Sequence, residues 1–410
     1  PPAQGGFDHV LLGGSNYTAD LAATATAPLS ERWTSATAVG VQYTRTNSTE
    51  LWSRALGLPP GGTGNTGGTT NTIRSTRSES YVLGAYVQQQ LALNNRLFLI
   101  AALRGDGGSA FGDDVSLAAY PKASASWLIS EEPFMPRIDA LTSLRLRAAW
   151  GASGVQPRRA DVIPSYAYGT AVVDGQIVNT ALLNQIGNPD LKPERQRELE
   201  LGLDLELFES RVGLEATYYN RVSHDALVTV DVLPSHGSFS RLENLGSVRN
   251  RGVEGSLRLG LVDTRPVRWD VIVGGSYNQN RLLELAPGIT TLDAASRHRH
   301  VEGFPIWGMW ERTYTYEDAN GDGIIVPAEI QVSDTAVYIG PSHPPRELTV
   351  ASSVELFDGR IRLGALLDRR SGHFRMDNNA ASRCNIARSC RGLNDPTAPL
   401  DEQAAAVVMG

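Results

Sequence analysis

Long apolar runs are missing from this sequence. No stretch of about 18 apolar residues occurs in its 410 residues, which excludes a membrane-spanning helix. A spanning β-barrel is not excluded, because its strands are only half apolar and average to a polar sequence. Basic charge is also short: 37 Lys and Arg against 44 Asp and Glu leave a net charge of −7. Nucleic acid wants a basic face, so it is not expected as a partner. Two cysteines, Cys384 and Cys390, are too few for a disulfide scaffold or a structural zinc site. No secretory leader opens the chain at Pro1, which leaves open one cut away upstream. There is no HExxH, no GxSxG elbow and no CxxC, and nothing suggests an enzyme. Four Met against 41 Gly, with many Thr, Ser, Tyr and Val, favour strands and turns over helices.

What is present is alternation. From Arg197 to Leu207 the odd positions Leu199, Leu201, Leu203, Leu205 and Leu207 are apolar, and Glu198, Glu200, Asp204 and Glu206 are acidic. A strand sends alternate side chains to opposite faces, so one side is apolar and the other charged. The same period fits Val253–Leu261, Leu144–Trp150 and Ile361–Leu367.

Short turns are expected at Pro28–Arg32, Asn94–Asn95, Glu209–Ser210, Asp263–Pro266 and Asp358–Gly359, with a longer one at Glu131–Asp139. Between the pairs lie segments expected to be long and irregular: Asn47–Glu79, Gly105–Ser116, Ala152–Glu194, His224–Ser247 and Leu283–Ser342. Short on one side and long on the other is the layout of outer-membrane barrels. About twelve strands are expected, many over ten residues, against a mode of five or six in soluble proteins. A soluble β-sandwich or solenoid shares the alternation but not this strand length. Gly57–Asn71 is a flexible loop by composition and lacks the Lys of a phosphate cradle.

Few residues invite chemistry. Glu198 and Glu200, about 7 Å apart on one face, resemble a glycosidase pair, but a lumenal or solvent role outweighs that reading. His298 and His300 sit between cations and read as a solvated loop rather than a metal site. Cys384 and Cys390 are either free thiols or a loop disulfide, and an external loop tilts toward the disulfide. Phe304, Trp307, Trp310, Tyr314 and Tyr316 either stack on sugar rings or form a loop core.

The sharpest local motif runs Asp318 to Glu329. Asp318, Asn320 and Asp322 stand at positions 1, 3 and 5, Gly323 at 6, the Ile324 carbonyl at 7 and Glu329 at 12, which is the spacing of a calcium loop. Pro327 argues against flanking helices; the loop is either a plain polar turn or a weak structural calcium site, and the spacing favours calcium. The rest of the chain requires no cofactor.

Several segments together resemble the SusC/RagA-type TonB-linked outer-membrane receptors. They are Arg104–Gly112, Tyr120-Pro121, Ser126-Trp127, Glu131–Phe134, Leu144–Arg147 and Trp150-Gly151. Gly187–Glu194 (GNPDLKPE), Asn250–Glu254, Asp318–Gly323 and Tyr338–Gly340 with Pro344 follow in order. The match covers roughly residues 95–375 and departs from the pattern at Gly108 and Ala110.

The resemblance implies an all-β protein, an antiparallel transmembrane β-barrel of the roughly 22-stranded transporter class. It implies a plug domain, TonB drive, a SusD-like lipoprotein lid, contact with outer-membrane lipid, and import of glycans or peptides into the periplasm. Residues 1–410 then form a partial barrel without plug or TonB box, and 283–342 a long external loop carrying the calcium-type motif. The alternative is a secreted calcium-stabilised β-sandwich adhesin or carbohydrate-binding module.

Overall fold

The alternation becomes a series of hairpins in the computed structural model. It describes residues 5–62, 64, 67–109, 117–157, 159–231, 240–244, 246–285, 291–295 and 297–409. These fall into two units, Pro1–Ser247 and Val248–Gly410. Of the receptor-like segments, Ala110, Phe111 and Gly112 lie outside the described residues.

The first unit begins with β1 (Gly5–Pro28), β2 (Trp33–Leu58), β3 (Thr70–Leu93), β4 (Leu97–Gly108), β5 (Ala118–Leu128) and β6 (Leu141–Val155). A short helix α1 (Arg159–Val162) precedes the hairpin β7 (Ser165–Val173) and β8 (Gln176–Gln185). Then come β9 (Glu194–Leu207), β10 (Val212–His224) and the hairpin β11 (Leu227–Asp231) and β12 (Ser240–Asn244). Its sheet runs β1-β2-β3-β4-β5-β6-β9-β10, and every described pairing within it is antiparallel.

The turns sit where turn chemistry puts them. Asn94 and Asn95 both take positive φ (50° and 55°), and the Arg96 N–H closes on the Leu93 carbonyl at 2.9 Å. This is the primed geometry that matches strand twist. Glu209 and Ser210 do the same between β9 and β10.

The long side differs from expectation. Asn47–Glu79 is not an irregular loop: β2 and β3 pair through it, from Asn47↔Glu79 to Leu56↔Thr70. At about 3.3 Å per residue these strands are about 80 Å long, far more than the 9–11 residues that cross a bilayer. The β7–β8 and β11–β12 hairpins likewise replace irregular chain in Ala152–Glu194 and His224–Ser247.

Faces separate as the period requires. On one, Val39, Val41, Leu83, Val87 and Leu103 are each 47–52% exposed and cross-strand neighbours, as Val39↔Val87↔Leu103. Leu199 and Leu201 of β9 are exposed on their apolar side as well. On the other face ion pairs and amides join strands. Arg147 reaches Asp204 at 2.7 Å, Arg221 reaches Glu198 at 2.9 Å, and Arg104 bonds Asp106 at 2.7 Å and Gln42 at 2.9 Å. A contiguous apolar face open on the outside of a sheet needs a partner phase.

The tightest packing of the unit lies in the connections. Leu191 and Pro193 of the GNPDLKPE stretch are fully buried. Asn188 Nδ2 donates to the Leu242 carbonyl at 3.0 Å, and Asn244 Oδ1 accepts from the Lys192 N–H at 2.7 Å. Gly187 lies against Ile163 and Pro164 with no room for a Cβ. The segment is a structural knot that ties the entry of β9 to α1 and the β11–β12 hairpin.

The second unit has β13 (Ser247–Asp263), β14 (Val267–Glu284), β15 (Thr291–Ala295), β16 (His298–Val301), β17 (Gly308–Tyr316), β18 (Ile330–Pro341), β19 (Arg346–Leu356) and β20 (Ile361–Ser371). One sheet runs β13-β14-β19-β20, and a second, β15-β16-β17-β18, fills most of the segment expected to be an irregular loop, 283–342. The two units thus hold eight and four strands of the large-sheet type, the twelve expected.

After β20 come helices that the sequence reading did not foresee: α2 (Asn378–Asn385), α3 (Arg391–Asn394) and α4 (Leu400–Met409). Asp377 caps α2 by accepting the Asn379 and Ala380 N–H groups. Gln403 of α4 is 2% exposed. Its Oε1 accepts the Ile325 N–H at 3.0 Å, and its Nε2 donates to the Gly323 and Ala398 carbonyls.

Candidate functional site

The long connections of the second unit leave one end of its β13-β14-β19-β20 sheet, opposite the turns 264–266 and 357–360. At that end a cleft of about 580 Å³ opens between the sheet and the β15–β18 insertion. Asn250, on the alternation face that also carries Glu254, Ser256 and Arg258, begins it. Asn280 and Asn278 donate their Nδ2 groups to Asn250 Oδ1 at 2.8 and 3.4 Å. Asn280 Oδ1 accepts the Ile306 N–H at 2.7 Å, so the amide row also anchors the opposite wall. Trp307, 40% exposed, lines it, and Pro305, Pro341, Pro344 and Pro345 stiffen the rim.

Trp307 is held by its surroundings. Its φ is +57°, a left-handed conformation costly for a bulky residue. Its N–H donates to His300 Nδ1 at 3.2 Å, and its carbonyl accepts from Ser342 Oγ at 2.7 Å. The ring stands edge-on to His300 at 5.1 Å. Burial lowers the His300 pKa below the ordinary histidine value. His298 and His300 therefore belong to β16 and support an aromatic ring, rather than forming the solvated loop expected.

The aromatic group read from sequence is divided. Trp307 lines the Asn250 cleft. Trp310 packs edge-on against Phe304 at 5.0 Å and at a tilt against Tyr338 at 5.5 Å as the core of the insertion. Burial raises the Tyr338 pKa. Tyr314 lines a separate recess of about 560 Å³ beside α4, and Tyr316 is exposed farther along β17. Phe304 and Trp310 thus form a core of the insertion, while Trp307, Tyr314 and Tyr316 lie outside it.

The Asp318–Glu329 loop folds around its own acceptors. Asp318 Oδ1 accepts the Gly321 and Asp322 N–H groups, and its Oδ2 that of Gly323. Asn320 Oδ1 accepts the Asp322 N–H, and Asp322 Oδ1 that of Ile324. Glu329, in a 3-10 turn, returns to the loop start, with Oε1 on the Ala319 N–H at 3.0 Å and Oε2 on the Val326 N–H at 3.1 Å. Pro327 opens that turn. Among the described residues, however, no three His, Cys, Asp or Glu side chains are grouped to hold a metal ion.

Cys384 and Cys390 form a disulfide, Cα–Cα 5.0 Å, that links α2 to the start of α3 rather than closing an irregular loop. In the first unit, Glu198 and Glu200 line a recess of about 280 Å³ with Lys122, and Glu198 is ion-paired to Arg221.

A family model described as TonB dependent receptor-like, beta-barrel matches residues 2–339. The chain belongs to that family. It is 30% identical over 346 residues to the TonB-dependent receptor P26 of Formosa agariphila, covering 74% of this chain and 34% of that protein. It is 27% identical over 203 residues to the TonB-dependent receptor SusC of Bacteroides thetaiotaomicron, covering 48% of this chain and 20% of SusC. The fold matches a structure of the RagAB peptide transporter with TM-score 0.78 at 17% identity, over 92% of this chain and 44% of that one. The chain thus spans about a third of the length of P26 and a fifth of that of SusC.

SusC is thus among the chain's relatives, and its fold is like that of RagAB, in line with the SusC/RagA resemblance of its motifs. They are receptors and transporters, not enzymes. The family is one of outer-membrane β-barrels, so this TonB-dependent receptor chain resides in the outer membrane and its apolar face is its lipid face. The β-sandwich adhesin alternative is set aside by this assignment.

Proposed function

We propose that the whole receptor imports glycans or peptides across the outer membrane into the periplasm, energised by the TonB complex and closed by a SusD-like lipoprotein. Support comes from the long connections within each unit: hairpins in the first, and a four-stranded insertion with a ligand-sized cleft in the second. The cleft carries the reading: a purely structural barrel end has no need of an ordered amide row and a strained, exposed tryptophan. Deleting the receptor gene in its own bacterium tests it. Growth should fail on one glycan or peptide source, and the same failure should follow loss of TonB. Unchanged growth on all such sources contradicts the reading.

For the Asp318–Glu329 loop we propose a weak calcium site, supported by the ligand spacing and by the return of Glu329 to the loop start. Asp318, Asp322 and Glu329 must turn inward to share an ion, which costs the backbone bonds they now accept. Affinity in the roughly 10⁻⁴–10⁻³ M range of extracellular modules is expected. Calorimetric titration that shows no calcium heat, or the same heat in Asp322→Ala, contradicts the site.

A further inference from the structure

The charges of the β13-β14-β19-β20 sheet are sorted by face and by end. Side-chain bonds mark the two faces. On one, Asn250 Oδ1 accepts from Asn278 and Asn280. On the other, Arg251 Nε donates to Gln279 Oε1 at 2.8 Å, and Trp269 and Tyr277 share that side of β14 by alternation. This second face is the lipid face. Each strand carries an apolar run along it that ends, toward the long connections, in an arginine.

On β13 the run from Leu261 to Val253 leads to Arg251, and on β14 that from Trp269 to Tyr277 leads to Arg281. On β19, Leu356 to Leu348 leads to Arg346, and on β20, Ile361 to Leu367 leads to Arg369. The register holds these ends together: Tyr277 pairs with Arg346, and Gly275 with Leu348, which pairs with Arg369. All four arginines are exposed.

The height of the row follows from the aromatics. Trp269 and Tyr277 stand eight residues apart. That is about 26 Å along the strand at ~3.3 Å per residue, the scale of the roughly 25 Å apolar band that aromatic girdles border in such barrels. The short turns of these barrels are periplasmic, so the arginines stand at the external border.

Pairing separates the two faces further. On the water-facing side, Arg362 is ion-paired to Glu355 and Arg370 to Glu347. Among the described residues, the side chains of Arg281, Arg346 and Arg369 have no ion-pair partner, and Arg251 meets only the neutral Gln279 amide. From Leu261 and Trp269 up to the arginines, the outward positions hold neither Asp nor Glu. In a chain of net charge −7, this row of one sign needs a counter-charge from outside the protein. Guanidinium forks match phosphate oxygens in pairs, and arginine stems cover apolar surface while their heads reach the polar layer.

We infer that the Arg251, Arg281, Arg346 and Arg369 row docks phosphate-bearing anionic lipid of the external leaflet, whose acyl chains lie on the apolar band below. The inference needs only the lipid face and is independent of what the receptor imports.

The test places p-benzoylphenylalanine at position 277 of the full-length receptor, in vesicles of phosphatidylcholine mixed with lipid A. Photo-adducts are then counted by mass. Lipid A should be captured well above its share of the mixture, and raised salt should lower the yield. Each cation near an anionic surface is worth about fivefold in binding, so combining Arg346→Gln with Arg369→Gln should lower the yield about tenfold or more. Arg362→Gln, on the opposite face, should leave it unchanged. Heat-modifiable migration on a gel confirms that each variant folds, and the salt dependence of the parent decides should the double variant fail to fold. Adducts in proportion to the lipid mixture, a yield that ignores salt or survives in the folded double variant, or an equal loss in Arg362→Gln overturns the inference. Loss of the lipid A adduct to an equal concentration of inorganic phosphate assigns the row to a free anion and overturns it as well.

Discussion

The Arg104 side chain crosses directly over Gly84. In register, Gly84 stands between Gln42 of β2 and Asp106 of β4, and a Cβ at Gly84 would collide with Arg104 Nη2 and Asp106 Oδ1. The missing side chain lets Arg104 reach across a whole strand to Gln42 at 2.9 Å, and Gln42 Nε2 passes the chain on to Asp20 at 2.7 Å. Arg147 uses the same device over Gly202, whose Cβ would lie 2.8 Å from Arg147 Cζ.

Gly84→Ala should therefore destabilise the folded receptor by roughly 1–3 kcal/mol, the usual range for overpacking. The cost should shrink in an Arg104→Ala background, which removes the guanidinium and frees the Asp106 carboxylate it holds to turn away. Urea unfolding of the four members of that double-mutant cycle measures it. Additive effects would show that Gly84 matters for another reason.

Gln403 gives a second expectation. Replacing it with Leu keeps the bulk but leaves the buried Ile325 N–H and the Gly323 carbonyl without their partner. Unsatisfied buried groups cost about 1–3 kcal/mol each. Amide hydrogen exchange at Ile325 should accelerate, while exchange in β13 and β14 stays as it was. Unchanged exchange at Ile325 would contradict the clamp.

The cysteines should resist labelling. Quantitative thiol modification of the unreduced protein is expected to find neither Cys384 nor Cys390, and reaction of both would refute the bond. With a separation of six residues, its contribution should fall below the ~3 kcal/mol of a fifteen-residue loop.

Much of this fold is legible in the sequence, and the reasons differ by element. Leu199–Leu207 announces a strand because its period of two runs unbroken over a whole crossing. The insertion strands do not: β17 and β18 are interrupted by bulges at Met309/Trp310 and Arg312/Tyr314, which shift the facing of the aromatics. Trp307, in a left-handed turn just ahead of β17, serves the cleft, and Trp310, within β17, the core of the insertion. The β7–β8 hairpin had a readable sign in Asp174-Gly175, a primed-turn pair with positive φ at both residues, hidden inside a long polar connection. Asn250 opens a receptor-like segment, but nothing local marks it or Asn280 as lining a cleft. Only the pairing of distant strands makes them neighbours.

A pH expectation follows from His300. Its folded pKa lies below the unfolded value of about 6.5, so the folded state prefers the neutral ring that accepts the Trp307 N–H. The unfolded chain binds the proton first. The stabilisation is complete above pH 6.5 and is lost as pH falls from there through the lower folded pKa. Tryptophan fluorescence should report release of Trp307 over that window, and His300→Gln should remove the transition. A transition that persists in the variant would assign it elsewhere.

Arginine scanning of β9 tests the membrane-spanning account most directly. Leu201, 47% exposed on the apolar face, and Glu200, on the face of the Arg147 and Arg221 ion pairs, are adjacent in sequence and opposite in direction. Measured by reversible folding of the full receptor into lipid vesicles, Leu201→Arg should cost roughly 2–4 kcal/mol, and Glu200→Arg less than about 1 kcal/mol. Equal tolerance at the two positions would contradict a sheet with lipid on one side and water on the other.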